Sequence, residues 1–403
     1  MTNTDPQASF DLATGLSGLK GGDDPAPVRF LDAAGNWDPS DSAAPFAAAL
    51  AEITAEELKA WYSDMVVTRA FDRECTNLQR QGHMALWVPS VGQEGCQVGF
   101  ANAADADDYI FPAYREHTVA RVRGVDLVDV GKLFRGAHNS GWDPKDPKNG
   151  NTHIYTLVLG AQAQHAVGHS LAQLLDAKQA AGVNTMDPGE PGTATGKATM
   201  VFYGDGTTSQ GDTNEALIFA ASYQTPTLFI VQNNRWAISV PVSRQSRTPL
   251  YRRALGFGIP AVQIDGNDPL AAYAVAKTFL DDAKNGGGPR YIEALTYRIG
   301  AHTTSDDPTR YRDAEELKHW QESDPINRLA HYLRSQGVTD EFFASVDDTA
   351  ASEAHRVREA LLSIEKGHPD SMFAHVYAEN HPLIDEQRAW MAAYEASFEE
   401  SAE

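Results

Sequence analysis

The middle of the chain predicts two buried strands joined by a helix. Residues 198–203 and 227–231 are short runs of apolar, β-branched and aromatic residues, a pattern typical of strands covered on both faces. Apolar residues at helical spacing over 215–221 predict a helix between the two runs, and Pro226 ends it. Because strand–helix–strand crossovers are right-handed, this unit predicts two parallel strands in one sheet.

The same alternation continues along the chain. Residues 261–264 and 291–295 predict two further strands, with a helix over 269–283 between them. Earlier, residues 54–57 form a capping-box pattern that predicts the start of a helix, and residues 161–180 predict another. Alternating strands and helices predict the α/β class, with a doubly wound parallel sheet.

Three regions are expected along the chain. Residues 1–50 are rich in Gly, Pro, Ala and Asp, which predicts a flexible N-terminal arm; ordering against a partner subunit is the alternative. Residues 51–315 predict the α/β domain. Residues 316–403 are charged and helical in pattern, which predicts a C-terminal helical region packed on that core.

The first 50 residues predict no targeting segment. They hold seven acids and only two bases, Lys20 and Arg29, which fits neither a secretory signal nor a mitochondrial presequence. No apolar run reaches the length of about 18 residues that a membrane span requires. Two cysteines, Cys75 and Cys96, are too few for a disulfide framework and indicate a reducing compartment. We therefore expect a cytoplasmic protein without a membrane partner.

Acidic residues dominate the charge. The chain has 33 Lys and Arg against 55 Asp and Glu, a formal net charge of −22. Affinity for nucleic acid depends on Lys and Arg contacts with phosphates, so this balance argues against a nucleic-acid partner. A small phosphorylated ligand stays compatible, provided that a metal cation offsets the repulsion.

Polar residues follow both strands of the central unit. Residues 204–206, Gly-Asp-Gly, come after the first strand, and Asn234 comes after the second. In an open parallel sheet, ligands bind beyond the carboxyl ends of the strands. Gly204 and Gly206 let the backbone approach a phosphate closely, and the next helix offers its N-terminal amides. Asp205 and Asn234 add a carboxylate and an amide oxygen, which predicts a Mg²⁺ site holding a diphosphate. Asp205 alone would equally indicate a turn or a helix cap.

Two other phosphate motifs fit less well. Residues 204–209 depart from the dinucleotide fingerprint at Ser209, and the next strand ends in asparagines rather than in an acid for a ribose. Residues 192–198 approach a P-loop but are one residue short and precede a strand where a helix is required. These departures exclude a P-loop and disfavour a nicotinamide cofactor.

The motifs together resemble a known family. Residues 203–212 and 233–239 resemble the thiamin-diphosphate signature of the alpha subunit of the decarboxylating component of 2-oxo acid dehydrogenase complexes. Residues 297–307 are most similar to the branched-chain members, and residues 91–95 and 114–117 also fit. The likeness covers roughly residues 55 to 380 and implies that the α/β domain is of the thiamin-diphosphate-binding type.

Two details of the loop and strand segments qualify this likeness. Branched-chain members often carry arginine where Gln232 stands, which removes one phosphate contact. Asp306 and Asp307 predict only a solvated turn before Pro308.

The resemblance implies a set of site residues. Asp205, Asn234 and the carbonyl of Trp236 would ligate Mg²⁺. His302 resembles the histidine that lies near the diphosphate and assists proton transfer. His117, at a predicted helix start, is a second catalytic candidate whose alternative is a purely local hydrogen bond. The further cofactor contacts that the resemblance implies are Tyr114, Arg115, Leu157, Leu159, Gly206 and Thr207, with Gly204 from the turn.

The resemblance also implies the activity and the partners. These are oxidative decarboxylation of branched-chain 2-oxo acids of the 2-oxoisovalerate type with thiamin diphosphate and Mg²⁺, and reductive acylation of lipoyl groups. A beta subunit would complete an α₂β₂ heterotetramer and supply a glutamate, and a lipoyl-bearing acyltransferase would form the core. The alternatives are the alpha subunit of a pyruvate or acetoin dehydrogenase and, from a different class, a non-catalytic scaffold subunit.

Overall fold

A five-stranded parallel sheet lies at the centre of the protein. The computed structural model describes residues 24–136, 141–183, 193–365 and 369–400. The strand order is β1-β2-β3-β7-β6, and every neighbouring pair is parallel. The strands of this sheet are β1 Tyr109–Phe111, β2 Thr199–Gly204, β3 Thr227–Asn233, β6 Ala261–Asp265 and β7 Arg290–Leu295, while β4 Trp236–Ala237 and β5 Val240–Pro241 form a small antiparallel pair.

Helices precede, separate and follow these strands. In the described part of the chain they are α1 Ala55–Arg80, α2 Glu94–Ala103, α3 His117–Val122, α4 Leu127–Arg135, α5 Ala161–Ala180, α6 Gly211–Tyr223, α7 Val242–Gln245, α8 Tyr251–Gly256, α9 Pro269–Asp282, α10 Ala314–Glu322, α11 Pro325–Ser335, α12 Asp340–Leu362 and α13 Pro382–Glu400. Short 3₁₀ turns occupy Asp41–Leu50, Pro147–Asn149, Asp205–Ser209, Pro308–Arg310 and Pro369–Phe373, and a π turn, Ala283–Gly287, extends α9.

Both faces of the sheet are buried under helices. In β2, Met200 and Phe202 pack in one apolar cluster with side chains of α2 and α9. The alternate residues Val201 and Tyr203 pack in another cluster with α5, α6 and α8. All seven residues of β3 are buried, which explains why residues 228–231 form a continuous apolar run rather than an alternating one.

The local patterns predicted several elements correctly. Thr54 and Glu57 form the reciprocal capping box that starts α1, and α5 has the predicted bounds. The strand–helix–strand unit is confirmed, because β2 pairs with β3 in parallel from Thr199 opposite Thr227 to Gly204 opposite Gln232. The first predicted helix thus begins where the backbone amides find side-chain acceptors.

The prediction of a flexible arm is wrong for residues 24–50. Val28 forms a parallel bridge with Ile264 at the edge of the sheet, and its backbone exchanges hydrogen bonds with residues on β6. Phe30 is 1% exposed, and Phe46 packs edge-on against Phe279 with ring centroids 5.9 Å apart. A few apolar side chains in a Gly- and Pro-rich segment bury enough surface to order it. Residues 1–23 lie outside the described residues.

The C-terminal helices differ in their packing. Leu329 and Leu333 of α11 and Val357 of α12 are buried in the core. Helix α13 instead leaves Trp390 and Tyr394 at 66% and 47% exposure, so the predicted packing on the core does not extend to most of this helix. The other described edge of the sheet, at β1, is covered by a bridge from Ile110 to Thr152. No helix in the described ranges has the length and apolarity that crossing a membrane requires.

Candidate functional site

A cavity lies beyond the carboxyl ends of β2 and β3. Its volume is about 190 Å³. All the cofactor and metal residues predicted from sequence line it except Leu157, and His117 does not line it. The lining residues are Gln93, Ala113, Tyr114, Arg115, Glu116, Leu159, Gly204, Asp205, Gly206, Thr207, Gln232, Asn234, Trp236, Ala237, Ile238 and His302.

Asp205 contributes a buried carboxylate from the turn after β2. Its side chain accepts a hydrogen bond from Gln245 Nε2 at 2.6 Å, and the residue is 1% exposed. Burial raises the pKa of Asp205, and the hydrogen bond from Gln245 opposes that shift. Within the described residues no Lys or Arg forms an ion pair with it. A buried carboxylate without a cationic partner is a favourable position for a bound cation.

Asn234 and Trp236 contribute oxygens from the turn after β3. Asn234 Nδ2 donates to Gln93 Oε1 at 3.2 Å, and Asn234 Oδ1 accepts from the Trp236 amide at 3.3 Å. The Trp236 carbonyl accepts from Arg298 Nη1 at 2.8 Å. Arg235, between them, has a positive φ of 75°, an uncommon backbone conformation that holds this turn at the cavity.

The oxygen donors at the cavity fit Mg²⁺ in kind. Asp205, Asn234 and Trp236 offer one carboxylate, one amide oxygen and one backbone carbonyl, all hard ligands that leave room for phosphate oxygens. Among the described residues no group of three or more His, Cys, Asp or Glu forms a metal cluster. Asp205 is the single carboxylate among these three candidate ligands, so they fall outside that pattern. A second sign of an expected ligand is Gln93 Nε2, which is buried and has no hydrogen-bond partner in the described chain.

Arg115 brings a buried cation to the cavity. One guanidinium nitrogen donates to the Pro89 carbonyl, and Nη2 donates to the His302 carbonyl at 3.1 Å and lies 3.3 Å from His302 Nδ1. Burial lowers the pKa of Arg115, but an arginine remains charged at neutral pH. The geometry therefore holds a positive charge against His302.

His302 is a neutral imidazole in these surroundings. Burial, together with the charges of Arg115 and Arg298, lowers its pKa to about 3. The His302 amide donates to Asp306 Oδ2 at 2.8 Å, and the Tyr311 hydroxyl donates to the same oxygen at 2.5 Å. A bound anion would raise this pKa toward the range in which an imidazole accepts or relays a proton.

The interpretation of Asp306 as a solvated turn residue is wrong, whereas Asp307 is a local cap whose side chain accepts from the Thr309 amide. Arg298 Nη2 donates to the Tyr311 hydroxyl at 2.8 Å and also to the Ile238 carbonyl at 2.8 Å. Asp306 therefore belongs to a network, joined through Tyr311 and Arg298, that ties the His302 loop to the turn after β3. No local sequence signal distinguishes Asp306 from Asp307.

His117 lies in the core rather than at the cavity. Its ring stacks on Trp87 with centroids 4.7 Å apart, and the residue has no exposed surface. Nε2 lies 2.9 Å from the Val88 carbonyl, so this nitrogen carries the hydrogen, and Nδ1 accepts from the Tyr155 hydroxyl at 3.0 Å. Both ring nitrogens are occupied, which agrees with the alternative of a local hydrogen bond, and a catalytic role for His117 stays a prediction. Leu157 is 66% exposed and does not line the cavity.

Sequence reasoning missed the buried pair of Glu116 and Gln232 at the cavity. Gln232 Nε2 donates to Glu116 Oε1 at 2.5 Å, and the Arg115 amide donates to Glu116 Oε2 at 3.2 Å. Burial raises the pKa of Glu116, and the hydrogen bond from the Arg115 backbone opposes the shift. The position of Glu116 directly after Arg115 was the available signal, but nothing local indicates which way its side chain turns.

Comparison with known proteins agrees with this geometry. Residues 62–367 match the family described as dehydrogenase E1 component. The chain is 41% identical over 345 residues to the 3-methyl-2-oxobutanoate dehydrogenase subunit alpha of Mycobacterium tuberculosis, covering 85% of this chain and 88% of that protein. It is 35% identical over 344 residues to the pyruvate dehydrogenase E1 component subunit alpha of Acholeplasma laidlawii, covering 82% and 92%. The corresponding Bacillus cereus subunit is 34% identical over 322 residues, covering 79% and 81%. The chain therefore belongs to the dehydrogenase E1 component family and is of the 2-oxo acid dehydrogenase alpha-subunit type.

Proposed function

We propose that this chain is the alpha subunit of a branched-chain 2-oxo acid dehydrogenase that binds thiamin diphosphate and Mg²⁺. With a beta subunit, it would decarboxylate acids of the 2-oxoisovalerate type and pass the acyl group to a lipoyl-bearing acyltransferase. The single observation that carries the proposal is the meeting of Asp205, Asn234 and Arg115 with a neutral His302 around one cavity. On this proposal the sheet is of the doubly wound, thiamin-diphosphate-binding type.

Each lining group has a distinct task in the proposal. Asp205, Asn234 and the Trp236 carbonyl would hold the metal, and Arg115 would neutralise part of the diphosphate charge. When bound, thiamin diphosphate supplies the electron sink for loss of carbon dioxide from a 2-oxo acid. His302, kept neutral by burial, would accept or relay a proton near the diphosphate.

The surroundings of the cavity support a partner subunit. Three apolar side chains at or near the cavity are exposed: Leu157 at 66%, Val158 at 71% and Ile238 at 53%. Ile238 lines the cavity, and Leu157 and Val158 directly precede the lining residue Leu159 in sequence. Exposed apolar side chains around a polar cavity are typical of a surface that another chain covers. The mycobacterial relative is named as a subunit, which agrees with this proposal.

Two alternatives differ only in substrate. Relatives named as pyruvate dehydrogenase subunits are 34–35% identical, against 41% for the relative named for 3-methyl-2-oxobutanoate. The higher identity and the similarity of the His302 loop favour a branched-chain substrate. One methylene in an apolar pocket changes transition-state binding by about 1–3 kcal/mol, so kcat/KM for the two acids should differ clearly.

The test is co-expression with a beta subunit, followed by a dye-linked decarboxylation assay with Mg²⁺ and thiamin diphosphate. We expect a higher kcat/KM for 2-oxoisovalerate than for pyruvate, and loss of turnover in Asp205→Ala. Asp307→Asn is the matched control, because this acid caps an exposed turn and does not line the cavity. A preference for pyruvate would overturn the substrate, and cofactor-independent turnover or none with any 2-oxo acid would overturn the activity.

A further inference from the structure

Asp72 is a buried carboxylate on α1 that does not line the cavity. It is 1% exposed and accepts three hydrogen bonds from residues 87–90, here called the bridging segment. The donors are Trp87 Nε1 at 2.7 Å, the Ser90 amide at 2.6 Å and Ser90 Oγ at 3.1 Å. No Lys or Arg among the described residues forms an ion pair with it, because the nearby Arg69 pairs with Glu94 and Asp324.

Burying a carboxylate without a cationic partner costs free energy. The hydrogen-bond donors around Asp72 show which segment it fixes in place. All three partner groups are donors, so a carboxylate satisfies them together, whereas an amide would turn an NH₂ group toward one of them. Burying an ionised group without a cation costs free energy that an apolar residue would not. Asp72 therefore fixes both ends of the bridging segment, although burying its charge costs free energy.

The bridging segment in turn holds two elements of the cavity. The Pro89 carbonyl accepts from the guanidinium of Arg115, whose Nη2 contacts His302. The Trp87 amide donates to Thr304 Oγ1 at 3.0 Å, and the Thr304 amide donates back to the Trp87 carbonyl at 2.9 Å. The segment thus connects α1 with the side chain of Arg115 and with the loop that carries His302.

We propose that Asp72 is a positioning residue, which orients Arg115 for the diphosphate through the bridging segment. This inference rests on the proposed function, because it assigns the direction of Arg115 to cofactor binding. Asp72 itself touches neither cofactor nor substrate. Removing its charge would let the Ser90 end of the segment move and would release the Pro89 carbonyl from its position opposite the guanidinium.

The chain offers a matched control in Asp268. This carboxylate is also fully buried and also accepts three hydrogen bonds from donors, namely the amides of Phe30 at 2.6 Å, Leu31 at 2.8 Å and Leu270 at 3.0 Å. It fixes the N-terminal segment to α9 and does not line the cavity. Asp72→Asn and Asp268→Asn therefore impose the same chemical change in comparable surroundings.

The experiment measures the Kd of thiamin diphosphate with Mg²⁺ by isothermal titration calorimetry on the full chain assembled with its beta subunit, beside the Tm of each variant. We expect Asp72→Asn to raise Kd about tenfold or more, the loss of one charge-assisted hydrogen bond, while Asp268→Asn lowers Tm without changing Kd beyond twofold. Equal Kd changes in both variants, or none in Asp72→Asn, would overturn the positioning role.

A milder variant covers the case in which Asp72→Asn does not fold. Ser90→Ala removes only the Oγ donor to Asp72 and keeps the Ser90 amide donor, and we expect it to raise Kd about threefold to tenfold. An unchanged Kd in this variant would count against the inference. Absence of thiamin diphosphate binding to the unmodified assembly is a separate result, which would overturn the proposed function instead.

Discussion

Tyr311→Phe is expected to weaken the coupling between the His302 loop and the turn after β3. The Tyr311 hydroxyl accepts from Arg298 Nη2 at 2.8 Å and donates to Asp306 Oδ2 at 2.5 Å. Burial and the neighbouring Asp306 raise the pKa of Tyr311 to about 12, so the hydroxyl stays protonated and keeps donating. The substitution removes both hydrogen bonds but retains the ring, which packs on Trp236 with centroids 5.4 Å apart.

The size of the effect follows from the charges on the two partners. A hydrogen bond to a charged group contributes about 1.5–3 kcal/mol, and a half-buried hydroxyl belongs at the lower end of that range. Other contacts remain, because Arg298 still donates to the Trp236 and Ile238 carbonyls and Asp306 still accepts from the His302 amide. Two such bonds are lost at about 1.5 kcal/mol each, which sets an upper limit of about 3 kcal/mol, and the retained contacts reduce it. We therefore expect a loss of about 1.5–3 kcal/mol, or about 10-fold to 150-fold in kcat/KM.

The assay is dye-linked turnover of 2-oxoisovalerate by the assembled enzyme, combined with calorimetric titration of thiamin diphosphate. Tyr332→Phe is the control, because Tyr332 packs on Trp37 away from the cavity and should change kcat/KM by less than about twofold. A Tyr311→Phe enzyme within twofold of the unmodified one in both kcat/KM and Kd would refute the reasoning. A loss of Tm without a change in either constant would refute it equally.

Three further outcomes test other parts of the site. Gly206→Ala should weaken Mg²⁺-dependent thiamin diphosphate binding about tenfold, because the new Cβ would lie 2.8 Å from the Ala237 Cβ. Gly168→Ala is the control: its new Cβ would meet no atom within 4 Å, the residue does not line the cavity, and binding should be normal in the same titration. Burial lowers the pKa of His117 to about 3, so between pH 6.5 and pH 3 only the unfolded chain binds a proton at this residue. The free energy of unfolding should therefore fall by about 2 kcal/mol from pH 7 to pH 5. His117→Gln should remove this contribution to the pH dependence, measured by urea unfolding. Glu116→Gln removes a buried negative charge beside the cavity, so thiamin diphosphate titrated without Mg²⁺ should bind about tenfold more tightly, since repulsion between like charges in a partly screened site costs about 1–2 kcal/mol.

Short-range patterns predicted the parts of this protein that local chemistry determines. The capping box at Thr54, the parallel pairing of β2 with β3 and the meeting of Asp205 with Asn234 all depend on residues close in sequence or on one crossover rule. The carboxyl ends of adjacent parallel strands must lie at the same edge, so a polar group after each strand is enough to predict a site there.

Contacts between distant segments could not be predicted in the same way. Asp306 meets its partners through a loop whose path depends on packing, and His117 satisfies its nitrogens with Val88 and Tyr155. Residues 24–50 are ordered by partners more than 200 positions away, among them Asp268. The composition of a segment indicates whether that segment would fold in isolation. It gives no information about contacts with distant parts of the chain, which order residues 24–50 here.

Both outer strands of the sheet are shielded by the chain itself, with Val28 beside β6 and Thr152 beside β1. A strand with free amides and carbonyls is a template for strand addition by another molecule. Proteolytic removal of the chain up to about residue 31 would expose the backbone of β6. We expect the trimmed protein to self-associate into oligomers before its affinity for the coenzyme changes. Size-exclusion profiles of trimmed and intact protein at rising concentration would show this as a shift toward larger species in the trimmed sample alone.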